Sequence, residues 1–285
     1  MIDTLGHYKI LERRGAGGIG DVYRARDTRL GRTVAVKVVR HDAFRDESQR
    51  RRLLEDARAA AALSHPHVAA FYEIGEQQGD LFLVSEYVPG QSLRVLVSGR
   101  PINTRRAIEL AAQVADGLAQ AHAHGMAHGD IRADNIVVTP KGSAKVMEPA
   151  FAAWIADPGH DGPATAATGD DIYDLGLVLF EMLTGIAPTQ RENAHGVSAP
   201  SSLNSSLPER VDAVVGRMLA PERSNRFSSA AVAAAELRQV AVTLEDDEPL
   251  PVAPPGKNST STVWLVLILG LAIVVGLIWL AVNAG

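Results

Sequence analysis

The chain has 285 residues, 46% of them hydrophobic, with a formal net charge of -5 and a sequence pI of about 6.0. That is enough for one large or two modest domains with a sizeable core, and the mild acidity excludes the concentrated basic face of a nucleic-acid binder. It contains no cysteine, which excludes disulfides, thiolate metal sites and a cysteine nucleophile and fits a reducing compartment. Met1 to Lys9 are polar and lack the apolar run of a secretory signal peptide.

In chain order, Tyr8-Lys9-Ile10-Leu11 begins a strand that meets a glycine cluster, and Val22-Tyr23-Arg24-Ala25 resumes it. Thr33 to Val39 is β-branched and strand-like. Arg50 to Leu63, rich in Ala, Leu and Arg, predicts a helix that stops before Pro66. Phe71 to Ile74 and Leu81 to Tyr87 predict two more strands. From about residue 101 the pattern turns helical. Thr104 is placed to cap a helix reaching about His124, with Ile108, Ala111, Ala115, Leu118 and His122 along one face and Gly125 at its end. Asp170 to Thr184, Val211 to Leu219 and Ser229 to Val240 predict further helices. Residues 243–262 carry an acidic run, four prolines and a Ser/Thr cluster, the composition of an unfolded linker. Val263 to Val282 has no charge and carries Trp264 and Trp279 near its ends. A bilayer-spanning helix needs about 20 apolar residues, and tryptophans favour the two interfaces, so this run is expected to cross a membrane. Lys257 precedes it and no basic residue follows, which puts the N-terminal side in the cytoplasm. Only Asn283, Ala284 and Gly285 come after, so the working part is expected on that N-terminal side.

Three groups of residues carry chemistry. Gly15-Ala16-Gly17-Gly18-Ile19-Gly20-Asp21-Val22 fits G-x-G-x-x-G-x-V, where glycines let backbone amides approach a polyphosphate. A plain tight hairpin has the same composition. A dinucleotide-binding turn would open a helix, whereas this motif lies between two strands. Val34-Ala35-Val36-Lys37 follows. A lysine inside an apolar strand needs a charged partner, which a nucleotide phosphate supplies; the alternative is an edge lysine reaching into water. Third comes His128-Gly129-Asp130-Ile131-Arg132-Ala133-Asp134-Asn135, before the strand-like Ile136-Val137-Val138.

With these motifs in this order, the sequence resembles the eukaryotic-type serine/threonine protein kinases of bacteria over residues 8–240. The resemblance implies an α+β, two-lobed kinase fold, with a β-rich N-lobe and a helical C-lobe, and ATP in the cleft between them. Gly15, Gly17, Gly20, Val22, Ala35 and Lys37 would line the nucleotide site, and Ser85-Glu86-Tyr87-Val88 matches the hinge whose backbone pairs with adenine. Asp130 matches the aspartate that accepts the substrate hydroxyl's proton, Asn135 the magnesium-binding asparagine, and Arg132 stands where these kinases usually carry lysine. Asp171-Ile172-Tyr173-Asp174-Leu175-Gly176 matches the start of the central C-lobe helix, whose aspartate holds the catalytic loop's backbone. His122 and His128 match structural positions, and with His124 and no cysteine nearby they make a poor metal site.

The sequence departs from the family at several of its working positions. The helix partner of Lys37 falls on Asp56, one methylene shorter than the usual glutamate, with Glu55 beside it. Gly129 replaces the arginine that receives a phosphorylated activation loop. Glu148-Pro149-Ala150 replaces the metal-binding Asp-Phe-Gly: Glu148 keeps a carboxylate for Mg2+ on a longer arm, although magnesium demands near-ideal octahedral geometry. The activation segment is short, and the glutamate that Arg226 would pair with is missing, so Arg226 must find another carboxylate or face water. The expectation is a membrane-held kinase-family protein that keeps an ATP cleft, with phosphotransfer weak or lost; the alternative is a nucleotide-independent scaffold or regulator. Its partners would be cytoplasmic or membrane proteins.

Overall fold

The computed structural model describes residues 3–17, 20–39, 47–147, 168–187 and 198–247. Six antiparallel strands form the N-lobe sheet: β1 Thr4–Leu5, β2 Tyr8–Gly17, β3 Gly20–Asp27, β4 Thr33–Val39, β5 Phe71–Gln77 and β6 Asp80–Glu86, in the order β1-β2-β3-β4-β6-β5. The predicted strand does begin at Tyr8; a short strand before it, Thr4–Leu5, went unpredicted, and it pairs with Lys9 and Tyr8 while Leu5 is buried in the sheet's core.

Alternation along β4 decides which residues reach the cleft. Successive side chains on a strand point to opposite faces. Val34, Val36 and Val38 join Leu5, Tyr8, Ala25, Phe82 and Val84 in one apolar cluster. Ala35, Lys37 and Val39 therefore share the other face. Helix α1 (Glu47–Ala61) covers the Val39 end of that face with Leu53, Ala57 and Ala60, a helical spacing.

The C-lobe is built on α2 (Leu93–Val97), α3 (Thr104–Ala123), α4 (Thr168–Thr184), α5 (Glu209–Met218) and α6 (Ala230–Asp247), around one large apolar cluster. Leu175, Leu179, Met182 and Leu183 of α4 are buried at its centre. Each such side chain contributes about 1.5–3 kcal/mol on burial. The cap of α3 differs from expectation: the Asn103 side chain accepts from Arg106 N–H at 2.9 Å, so Asn103 and not Thr104 is the N-cap. The helix stops at Ala123, and Gly125, with φ of +73°, turns the chain away two residues later.

The predicted end of the last helix at Val240 is also too early. Ala241 and Leu244 still pack on the C-lobe core, so the helical face continues to Asp247, into the segment expected to be linker. A second, three-stranded antiparallel sheet joins β7 (Gln91–Ser92), β8 (Ile136–Val138) and β9 (Ala144–Val146). Among the described residues no helix is long and apolar enough to cross a membrane. The expected span, residues 263–282, lies outside them, as does most of the linker.

Candidate functional site

The strand registers bring the predicted nucleotide residues together. Directly paired residues on antiparallel strands lie on the same face of a sheet. Gly15 pairs with Val22, and Val22 pairs with Lys37. Ala35, two positions from Lys37, shares that face. Gly15, Val22, Ala35 and Lys37 therefore form one patch on the sheet face whose Val39 end packs on α1. Gly17 closes β2 and Gly20 opens β3, paired across the tip. A Cβ added at Gly15 would meet nothing within 4 Å among the described residues, so packing against them does not demand glycine there. Lys37 is only 8% exposed. On α1, Asp56 is half-buried while Glu55 is exposed, in keeping with Asp56 as the inward residue.

Glu86 ends β6 and Val88 is buried just beyond it. The Glu86 N–H donates to Ala70 O at 2.8 Å. The Glu86 side chain, on which the sequence is silent, pairs with Lys145 of β9 at 2.7 Å and accepts from the Ala70 N–H at 3.2 Å.

The catalytic loop follows α3. Ile131 and Ala133 are buried, and Asp130, Arg132 and Asp134 alternate outward between them. Asp171, fully buried at the start of α4, fixes the loop: its carboxylate accepts from His128 N–H at 2.8 Å and Gly129 N–H at 2.8 Å, and lies 2.7 Å from His122 Nε2. Burial alone would raise its pKa. The His122 hydrogen bond, the nearby His128 ring and the two amides outweigh burial and hold it below the usual aspartate value. The Met147 carbonyl can only accept, so the 2.9 Å contact places the hydrogen of His128 on Nε2. His128 Nδ1 is then the acceptor for Asp130 N–H at 3.3 Å.

Asn135 Nδ2 donates to Asp130 O at 2.8 Å and to Asp130 Oδ2 at 3.0 Å, which leaves Asn135 Oδ1 as the atom able to ligate a metal. Arg132 Nε lies 3.6 Å from Asp130 Oδ2. The second expected ligand, Glu148, lies outside the described residues, as do Pro149 and Ala150.

Gly129 has φ +78°, a backbone region that a residue with a Cβ adopts only with strain. Its identity thus answers a local backbone demand as well as removing an arginine. Arg226 does find a carboxylate. Its guanidinium reaches Asp170 at 3.5 Å, donates to Ala220 O and Pro221 O, and sits 4.6 Å over the Tyr173 ring.

A glycine-tipped strand pair beside a buried strand lysine, together with an aspartate–asparagine loop held by a buried helix aspartate, is the arrangement of the protein kinase class. The chain matches the protein kinase domain model over residues 8–162, more than half its length, and belongs to that family. It is 37% identical over 280 residues to serine/threonine-protein kinase PknB of Mycobacterium tuberculosis, covering 87% of this chain and 44% of that protein. Its identity to serine/threonine-protein kinase PrkC of Bacillus subtilis is 29%, covering 88% and 44%. It therefore spans less than half the length of these curated relatives. The crystal structure of the Mycobacterium tuberculosis PknI kinase domain shares its fold, with a TM-score of 0.68 at 24% identity, covering 83% of this chain and 96% of that one.

Proposed function

We propose that this chain is a membrane-anchored serine/threonine protein kinase-like protein that binds ATP and whose phosphotransfer to protein substrates is weak or lost. The observation that carries the kinase part of this reading is the pair of hydrogen bonds from Asn135 to Asp130, in a loop whose backbone Asp171 holds. Such a loop is arranged before any substrate arrives, and kinase catalysis is largely positioning plus charge stabilisation. In this reading Gly15, Gly17, Gly20, Val22, Ala35 and Lys37 receive the nucleotide, with Lys37 on its phosphates, and the backbone of Glu86 and Val88 meets the base. Asp130 takes the proton of a substrate hydroxyl, and Arg132 offers positive charge beside it. Asn135 Oδ1 and the Glu148 carboxylate would hold Mg2+, which when bound neutralises charge on the phosphates.

The expectation of weak transfer rests on the replacements in the sequence. Glu148 carries its carboxylate on a longer arm, Pro149 fixes φ, and Gly129 has no guanidinium to receive a phosphorylated loop. Each ~1.4 kcal/mol lost from transition-state stabilisation is tenfold in rate. Membrane attachment rests on Val263 to Val282, and Lys257 before it favours a cytoplasmic kinase-like domain.

The test is a thermal melt of the full chain in detergent, with ATP and with or without magnesium. Ligand at 100 times its Kd stabilises by about 2.7 kcal/mol. A shift that requires magnesium would mean that Asn135 and Glu148 build a metal site. A shift indifferent to magnesium would mean a nucleotide-binding pseudokinase. No shift at saturating ATP would reject the ATP cleft and leave a scaffold that works through its surfaces. If Glu148→Asp then creates phosphotransfer absent from the native chain, the metal position is the limiting defect.

A further inference from the structure

We propose that Lys145, through its ion pair with Glu86, is a positioning residue for the adenine end of the cleft, an inference that rests on the nucleotide-binding reading above. Glu86 closes β6 where the hinge begins, and Lys145 stands in the middle of β9, one strand position before Val146. Their charged ends are 2.7 Å apart, with side-chain exposures of 27% and 18%. The same Glu86 oxygen accepts from the Ala70 N–H at 3.2 Å, while the Ala70 carbonyl accepts from Glu86 N–H at 2.8 Å. One carboxylate thus ties the hinge both to the segment before β5 and to β9.

That segment is itself bound to β9. Ala69 N–H donates to Val146 O and Val146 N–H to His67 O, each at 2.9 Å, and His67 Nδ1 lies 2.9 Å from Ala144 O. On its far side the chain after β9 joins the catalytic loop, where Met147 N–H donates to Asn135 O at 2.8 Å. Gly117 of α3 lets the segment sit this close: a Cβ there would lie 2.9 Å from Val68 Cγ2 and 3.0 Å from His67 O. The hinge, residues 67–70, β9 and Asn135 therefore form one hydrogen-bonded series. Most of its links are backbone bonds that many sequences could make. The Glu86–Lys145 pair depends on two particular side chains, and it acts on the residue where the hinge begins.

The physical consequence is preorganisation. A hinge whose first residue is fixed presents its backbone to a base without an ordering cost on binding. Removing Lys145 leaves the Glu86 carboxylate half-buried with the Ala70 amide as its remaining donor among the described residues, and such a group relaxes toward water. Glu86 then pulls at the start of the hinge. The phosphate end of the cleft, on the β2–β3–β4 face, is not part of this series.

Adenosine, ATP and inorganic tripolyphosphate separate the two ends. Their affinities would be measured by calorimetry on the full chain in detergent, native and Lys145→Met. The expected result is that adenosine and ATP weaken about fivefold, while tripolyphosphate is unchanged. Lys145→Arg, which keeps the charge, should stay within about twofold of native. Unchanged adenosine and ATP affinity in Lys145→Met would overturn the inference. So would equal weakening of all three ligands, the mark of a generally loosened fold. Weakening confined to ATP and tripolyphosphate would also overturn it, by reducing Lys145 to a counter-charge for phosphates. If the native chain binds neither adenosine nor ATP, the nucleotide reading itself fails and this inference falls with it.

Discussion

The first and second turns of α4 treat the same side chain in opposite ways. Asp171 is buried and carries two backbone N–H donors and the His122 ring. Asp174, one turn on, receives no hydrogen bond from the described residues. Burial pushes Asp174 up to about 7, and the negative charges of Asp171, Asp170 and Asp130 add to the push, against Arg226. Burial also acts on Asp171, but there the donors win and the pKa falls. Depth alone therefore does not set the charge of a carboxylate; the count of donors aimed at it does. The family resemblance marks only Asp171, because that carboxylate holds the catalytic loop.

The largest effect should come from breaking the well-served carboxylate. Asp171→Ala leaves two buried amides and the His122 ring without their acceptor, and should cost about 3–5 kcal/mol of stability. Chemical denaturation measures it, and a loss below about 1 kcal/mol would mean that the catalytic loop is held by something else. Asp174→Asn should act in the other direction. A carboxyl whose folded pKa lies above its unfolded value gives stability that is fully present below the unfolded pKa and is lost as pH rises through the folded one. The native chain should therefore lose stability between about pH 4 and pH 7 on this account. Asp174→Asn removes that loss, so its advantage should grow across the same window and level off above pH 7, at up to about 4 kcal/mol, from ~1.4 kcal/mol for each pH unit of that window. Melting curves at pH 5 and pH 8 test the sign. An equal difference between variant and native at both would show that Asp174 does not titrate there.

What could be read from the sequence, and what could not, divides along the same physical line. Strands β2 to β6 and helices α1, α3 and α4 were legible because period-2 and period-3.6 patterns are local. The matched positions Asp130, Asn135 and Asp171 were legible because their spacing in the chain is fixed by one short loop and one helix start. Asn103 was hidden behind Thr104, since both residue types can cap and only the backbone decides which stands outside the helix. The last helix ran past Val240 because Leu244 finds the C-lobe core, a contact that the acidic residues after it obscure. Glu86 with Lys145, and Arg226 with Asp170, join residues 59 and 56 positions apart, and no local pattern announces either pair. The raised pKa of Asp174 was only partly visible: burial, its largest cause, has no local signature, whereas Asp171 and Asp170 stand beside it in the sequence and add more than Asp130 on a different segment.

Two smaller changes sharpen the comparison at its edges. Gly129 offers one of the two amides that Asp171 holds, and its φ of +78° is part of that geometry. Gly129→Ala should cost about 1–2 kcal/mol through backbone strain, and Gly129→Asn less, because asparagine tolerates the left-handed region better. Equal melting temperatures for both variants and the native chain would mean that the loop relaxes freely and that Asp171 does not fix its backbone.

The smallest effect is expected at Asp170, the third carboxylate of this helix start. It is 45% exposed and meets Arg223 at 2.5 Å and Arg226 at 3.5 Å. Exposed ion pairs contribute little, because solvent screens them and two long side chains must be ordered to form them. Arg226 also keeps its bonds to Ala220 O and Pro221 O and its place over Tyr173 without Asp170. Asp170→Asn should therefore cost at most about 0.5 kcal/mol. It should also lower the pKa of Asp174 slightly, by removing one neighbouring negative charge. A loss above about 2 kcal/mol would place Asp170 with Asp171 as an anchor. Arg226 would then have replaced its missing family glutamate with a partner of equal structural weight.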